Sequence, residues 1–386
     1  MNTKFIKRDL LNKITKNIKS GFVNLIYGPR RVGKTVLLEQ IREYFLSINP
    51  KEKIGFFNGD TEETRELFST TSITKISEIS KNHSLIIIDE AQRIKNISLN
   101  LKILVDNFPK KKVFVTGSSS LDLIKGIKEA LTGRTKQYKL YPLSTSELSH
   151  GLKVFQKKYL LEDQLIYGGY PYLTSLSQPG EKQEYLRSIV EDYLFRDIFF
   201  LHRVENPDNL KKLATLLALQ IGSEVSLNEL AKNLQIDIKT VVRYISLLEH
   251  SFIIFPLSSY SSNLRKEIAK SKKYYFYDLG IRNALVNQFF TIDSRLDIGM
   301  LWENFLCLER IKKRAYDASL SSLYSYFFWR NHYGAEVDWL EIGPENKISA
   351  YEFKWAKKTT KTPKAFKEHY KTETKLVNKN NYLSFI

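Results

Sequence analysis

The chain has 386 residues, 42% hydrophobic and 13% aromatic, which suits two or three domains with buried cores and excludes a disordered protein. Lysine and arginine number 60 against 42 aspartates and glutamates; this +18 charge points to a polyanionic partner, nucleic acid before an anionic membrane surface, although a lysine-rich proteome would raise it too. The single cysteine, Cys307, excludes an internal disulfide framework and a cysteine-built zinc site, and no signal-like start or membrane-length apolar run is present, so a soluble, cytoplasmic protein without membrane contact is expected.

Residues 4–20 carry Phe5, Ile6, Leu10, Leu11, Ile14 and Ile18 at helical spacing, and Arg8 lies close enough to the next motif to approach a base or phosphate. That motif organises the chain. A strand-like run, Phe22 to Tyr27, leads into Gly28-Pro29-Arg30-Arg31-Val32-Gly33-Lys34-Thr35 and a helix-like run from Val36. Glycines at 28 and 33 let backbone N–H groups turn toward phosphate oxygens, Lys34 reaches the β- and γ-phosphates, and Thr35 offers a hydroxyl to Mg²⁺. Residues Gly28 through Val36 are therefore expected to bind ATP, with Lys34 catalytic; the competing explanation is a chance Gly/Lys loop, which the strand before and helix after make a poor one.

A second strand is expected at 53–60. Ser84 to Glu90 is the most apolar strand, as a central parallel strand covered on both faces would be. Asp89 at its end is expected to hold Mg²⁺ and Glu90 to orient or deprotonate water, although an Asp-Glu pair at a strand end also suits a helix cap. Val113 to Ser118 forms another strand, after which Ser118 or Ser119 either senses the γ-phosphate or caps a helix from Leu121. Arg134, after Gly133, either supplies charge to a phosphoryl transition state across a subunit boundary or makes a surface ion pair. Strands alternating with helices predict a doubly wound α/β sheet for roughly the first 145 residues.

From about 150 to 215 the pattern is helical. Ser226 and Glu229 form a capping box before a short helix, and Asp237 caps a second from Ile238 to Glu249. In that helix Val241, Val242, Ile245 and Leu248 are expected inward and Lys239, Thr240, Arg243 and Tyr244 outward. This is helix-turn-helix spacing, with a wing following at Phe252 to Phe255. Lys239, Thr240 and Arg243 would meet DNA, and Arg265, Lys266, Lys270, Lys272 and Lys273 would add phosphate contacts, unless the module binds protein instead.

In the C-terminal third, alternation puts Glu352 and Lys354 on one face near Asp338. Asp338 and Glu352 can share a divalent metal, Lys354 can position water, and Glu303 adds a carboxylate, which is hydrolytic phosphodiester chemistry; solvated charge pairs in a hairpin are the plainer reading.

The stretches 28–35, Ile87 to Gln92, Thr116 to Ser120, Thr132-Gly133-Arg134, Tyr167-Gly168-Gly169-Tyr170-Pro171 and Phe195 to Ile198 resemble a large prokaryotic family of archaeal-type AAA ATPases. So do Tyr275 to Gly280, Trp302 to Phe305, Trp329-Arg330 and Gly334 to Asp338. Members carry a C-terminal domain of unknown function containing a PD-(D/E)xK nuclease-like core. The resemblance implies an AAA-type P-loop domain over 1–148, a helical lid over 149–208, a winged helix over 209–268 and a nuclease-like α/β domain over 269–386. It also implies ATP hydrolysis with Mg²⁺ and a ring-like homo-oligomer of six subunits, and together with the basic charge it makes branched or recombining DNA the expected substrate. An ATP-gated nuclease and a nucleotide-dependent signalling switch are the alternatives. The lysine-rich tail after Lys358 lacks periodicity and is expected to be poorly ordered at its end.

Overall fold

The computed structural model describes residues 5–117, 121–191, 198, 204, 206–261, 272–317 and 324–386, with side chains in the 121–130 helix from 125 onward. Two compact units divide the chain, Met1–Leu143 and Ser144–Ile386. No described helix is long and apolar enough to cross a membrane.

The first unit contains α1 (Asp9–Lys16), β1 (Val23–Tyr27), α2 (Lys34–Ile48), β2 (Ile54–Asn58), α3 (Glu62–Phe68) and α4 (Ile73–Asn82). It continues with β3 (Leu85–Asp89), α5 (Ile97–Asn107), β4 (Lys112–Gly117), α6 (Leu121–Ala130) and β5 (Thr135–Lys139). All five strands are parallel, in the order β2-β3-β4-β1-β5. Every residue of β3 is buried, as the unbroken apolar run requires of a strand with helices on both faces. The order leaves β1 between β4 and β5, so the carboxyl ends of β1, β3 and β4 open on one edge, where ligands bind in such sheets. Helix α1 buries Leu10, Leu11 and Ile14, but it is shorter than its apolar spacing suggests, and Phe5 lies exposed before it.

The second unit begins with helices, α7 (Thr145–Ser149), α8 (Val154–Tyr167), α9 (Pro179–Ser188) and α10 (Pro207–Leu219). Next come β6 (Glu224–Val225), α11 (Leu227–Leu234), α12 (Ile238–His250), β7 (Ile254–Ser259), β8 (Lys272–Phe276), α13 (Leu279–Leu285) and α14 (Ile298–Tyr316). β9 (Ser325–Arg330), β10 (Glu336–Ile342), β11 (Ile348–Phe353), α15 (Lys364–Tyr370), β12 (Thr374–Val377) and α16 (Tyr382–Phe385) complete it. Among the described residues its strands form a mixed seven-stranded sheet, β12-β11-β10-β9-β7-β8-β6. The parallel pairing of Ser258 in β7 with Phe327 in β9 joins what sequence pattern separates into two domains. A boundary at 268/269 thus falls between two hydrogen-bonded strands, β7 and β8.

Two sequence motifs meet in this unit. Asp278 caps α13 by accepting from Ile281 N at 3.1 Å, and its other oxygen accepts from Gly169 N at 2.8 Å. Burial raises the Asp278 carboxyl to about 6 against those hydrogen bonds. The lysine-rich tail is better fixed than its pattern suggests. Tyr382 rests on Trp302 and Phe305, and Phe385 on Tyr351 and Phe353, so isolated aromatics anchor a stretch with no periodicity.

Candidate functional site

The phosphate loop runs from the end of β1 to the start of α2. Gly28 leaves no room for a side chain, because a Cβ there would lie 2.1 Å from the Leu140 carbonyl oxygen. Arg31 (φ 56°) and Gly33 (φ 90°) take left-handed backbone, the kind of turn that directs N–H groups into one hollow ahead of the helix. Lys34 is buried and its Nζ donates to the carbonyls of Gly28 (3.2 Å) and Pro29 (2.9 Å), leaving one of three ammonium protons for a further acceptor. Burial pulls its pKa to about 8, against the carboxylates of Glu90 and Asp89 and helped by the charge of Arg30.

Asp89 reaches this loop from the end of β3. Thr35 Oγ1 donates to Asp89 Oδ2 at 2.6 Å. Asp89 Oδ1 accepts from the Thr116 hydroxyl and from Glu90 N at 3.1 Å. The expected Mg²⁺ pair, Thr35 and Asp89, thus converges, a hydroxyl and a carboxylate oxygen being hard donors suited to that ion. Glu90 turns left-handed (φ 49°), Thr116 accepts from its N–H at 3.0 Å, and Gln92 donates to its carboxylate. Sequence reasoning gives Thr116 no role of its own, although it opens one of the family-like stretches and is a polar residue at the end of an apolar strand.

Arg8 is corrected from a ligand-approaching residue to a buried one, only 2% exposed, bonded to backbone carbonyls. Arg134 precedes β5 at the strand-start edge: its carbonyl accepts from Val23 N at 3.0 Å and its guanidinium meets Asp106 at 2.5 Å. The cradle lies at the other end of β1, roughly 15 Å away at about 3.3 Å per strand residue. Arg134 is therefore not assembled with the cradle of its own chain. Ser118 and Ser119 lie outside the described residues.

In the second unit, the two expected helices form on either side of the turn at 235–237, with one change of face. Ser226 accepts from Glu229 N at 3.3 Å and Asp237 from Thr240 N at 2.9 Å. Tyr244, expected outward, is 1% exposed and reaches the Asn206 carbonyl, whereas Val242, expected inward, is 48% exposed. The stripe is rotated in a helix that packs against both α10 and α11, and the buried Tyr244 reaches the N-cap of α10 through its hydroxyl. Lys239 and Arg243 remain on the exposed face, while the Thr240 hydroxyl donates to Asp237 at 2.6 Å. Arg265, Lys266 and Lys270 lie outside the described residues.

Lys273 is the larger correction. Its side chain is 3% exposed and lies in the acidic group on α14 and β10, not free for a phosphate: Nζ donates to Glu303 Oε1 at 3.0 Å and to Glu336. Tyr275 donates to the same Glu303 oxygen at 2.6 Å. Alternation along β8 sends residues 273 and 275 to one face, a signal hidden by reading the lysines as a charge run.

Asp338 sits in a β-bulge, where β10 advances from Val337 to Leu340 while β9 moves only from Trp329 to Phe327. Oxygens of Glu303, Glu336 and Asp338 lie within 4.8 Å of one another. Asp338 accepts from Phe353 N at 2.7 Å and lies 3.4 Å from Lys354 Nζ, which pairs with Glu352 at 2.7 Å. Of the four expected residues, Glu303 and Asp338 fall in this carboxylate group together with Glu336, which was not expected, while Glu352 is not one of its members and joins Asp338 through the Lys354 ammonium. Lys273 and Tyr275 meet the group at Glu303. Burial lifts Glu303 to about 7, with Lys273 opposing and Asp338 adding to the rise. Burial and then Asp338 also raise Glu352. For Lys354 burial acts downward, but Asp338 and Glu352 outweigh it and carry the pKa up.

Residues 20–149 match an AAA domain, residues 158–291 a domain of unknown function, DUF8612, and residues 298–384 another, DUF4143. The parallel five-stranded sheet of the first unit thus resembles the AAA-type P-loop fold. An uncharacterised protein of Methanocaldococcus jannaschii is 27% identical over 365 residues, 89% of this chain and 76% of its own. One from Haemophilus influenzae is 25% identical over 297 residues, 73% of this chain and 74% of its own. Among solved structures, a replication initiator DnaA bound to AMPPCP and single-stranded DNA is similar at 17% identity, with 64% of this chain and 90% of that one covered and a TM-score of 0.32.

Proposed function

We propose that this chain is an ATP-hydrolysing AAA-type ATPase that acts on DNA, using its nucleotide cycle to remodel branched or recombining DNA. The observation that carries the ATPase reading is the bond from Thr35 to Asp89 beside the buried Lys34, three groups brought together from two strand ends. Lys34 would hold the β- and γ-phosphate oxygens, and Thr35 and Asp89 would hold Mg²⁺. Magnesium, when bound, neutralises charge on the phosphate oxygens. Glu90, fixed by Thr116 and Gln92, would orient the attacking water and take its proton.

The DNA role is supported by the +18 charge and by Lys239 and Arg243 on the exposed face of a helix-turn-helix. Arg134 is proposed to act on the nucleotide of a neighbouring subunit in a homo-oligomeric, hexameric ring, a reading that its distance from its own cradle supports. The test is the ATPase rate with and without duplex, single-stranded and four-way DNA. Stimulation that weakens with salt is expected; no stimulation and no binding at moderate salt would overturn the DNA role.

A second reading, a Mg²⁺-dependent nuclease, is favoured by the convergence of Glu303, Glu336 and Asp338. Hard carboxylate oxygens suit that ion, while the Lys273 ammonium already neutralises part of the same charge.

A further inference from the structure

We propose that Arg8 is a positioning residue for nucleotide binding, a point that rests on the reading of residues 28–35 as a phosphate cradle. Its Nη1 donates to the Val32 carbonyl at 2.6 Å and its Nη2 to the Tyr141 carbonyl at 2.7 Å. The two acceptors flank the loop. Val32 belongs to its second half. Tyr141 follows Leu140, whose N–H donates to Tyr27 at 2.8 Å and whose carbonyl closes over Gly28 at the first half. One guanidinium fork therefore fixes both sides of the cradle, and a planar five-donor group does this where a point charge holds one side.

The consequence follows from peptide geometry. The carbonyl of Val32 and the N–H of Gly33 belong to one planar trans unit and point in opposite directions. Holding that carbonyl toward Arg8 turns the Gly33 N–H away from it, toward the phosphate side of the loop. Arg8 thus acts on phosphate through a backbone donor that it never touches. Its own position is set by α1 and α2 together, for Arg8 N donates to Gln40 Oε1 at 3.1 Å and Gln40 Nε2 to the Ile6 carbonyl at 2.8 Å.

The test is titration of the full chain with a fluorescent ATP analogue and Mg²⁺, alongside steady-state ATP hydrolysis, for the parent, Arg8→Met, Arg8→Lys and Leu10→Ala. Leu10 is buried in α1, the helix that Arg8 precedes, and its side chain is a hydrocarbon that cannot hydrogen-bond the loop, so its variant reports general destabilisation. Arg8→Met is expected to weaken nucleotide binding and raise KM by about tenfold or more, with kcat at saturation within about threefold, the signature of lost uniform binding. Arg8→Lys should fall between, and Leu10→Ala should lower the thermal midpoint without moving the affinity. Binding by Arg8→Met within about twofold of the parent, or equal weakening by Leu10→Ala, would overturn the assignment. A parent chain that binds no nucleotide would instead overturn the cradle itself, and the role of Arg8 with it.

Discussion

Replacing Lys273 with methionine keeps the length of the side chain and removes its charge from a pocket where it touches Glu303 at 3.0 Å and also bonds Glu336. Losing one partner of a buried ion pair costs about 3–5 kcal/mol, because the remaining carboxylates are left in a poorly solvated place. At about 2–4 °C per kcal/mol for a unit of this size, the thermal midpoint should fall by on the order of 10 °C at pH 8. The sign of the pH dependence is fixed. Glu303 already sits at about 7 against an ordinary 4.5, with Lys273 pulling it down, so the variant raises it further. A carboxyl raised in the folded state binds more protons there than in the unfolded chain, and stability falls as pH rises between the two values. The deficit should therefore be small near pH 5 and grow toward pH 8. In the parent, Glu303 and Glu336 outweigh burial and hold the Lys273 ammonium above its ordinary value, so its contribution is fully present below 10.5 and lost only above that. Thermal scans at pH 5, 6.5 and 8 measure the effect. A variant as stable as the parent at pH 8, or one whose deficit shrinks with rising pH, would refute this account of the pocket.

Two further variants, one of them double, test the other groups. Thr116→Val removes the donor to Asp89 and the acceptor for Glu90 N–H, and should lower kcat by about 10- to 100-fold with a stability loss of about 1–3 kcal/mol, read by steady-state hydrolysis and thermal unfolding. If the acidic pocket cuts DNA, Asp338→Ala with Glu352→Ala should abolish Mg²⁺-dependent nicking and leave ATP hydrolysis unchanged; nicking by the double variant would place the cutting elsewhere or in a contaminant.

The phosphate cradle was legible because its glycines, lysine and threonine are contiguous and act through local backbone geometry. Strands β1, β3 and β4 were legible for a similar reason, each being a short apolar run ending in polar residues. Arg8 was misread because a buried arginine and a ligand-facing one look alike in sequence; only the positions of Val32 and Tyr141 distinguish them. Lys273 was misread because it lies in a run of lysines, and its carboxylate partners stand 30 and 63 residues away on α14 and β10. Val242 and Tyr244 exchanged faces because both fit the periodicity of α12 within its tolerance, and packing against α10 decided between them. The joining of β7 to β9 depends on a parallel pair of strands more than 60 residues apart, for which no local pattern exists.

ATP hydrolysis by the purified chain in Mg²⁺, compared with Lys34→Ala and Glu90→Gln, tests the central claim most directly. The parent should bind and turn over ATP, Lys34→Ala should lose binding, and Glu90→Gln should retain nucleotide with turnover reduced by about 100-fold or more. A parent that neither takes up nor hydrolyses ATP, with Lys34→Ala indistinguishable from it, would contradict the account.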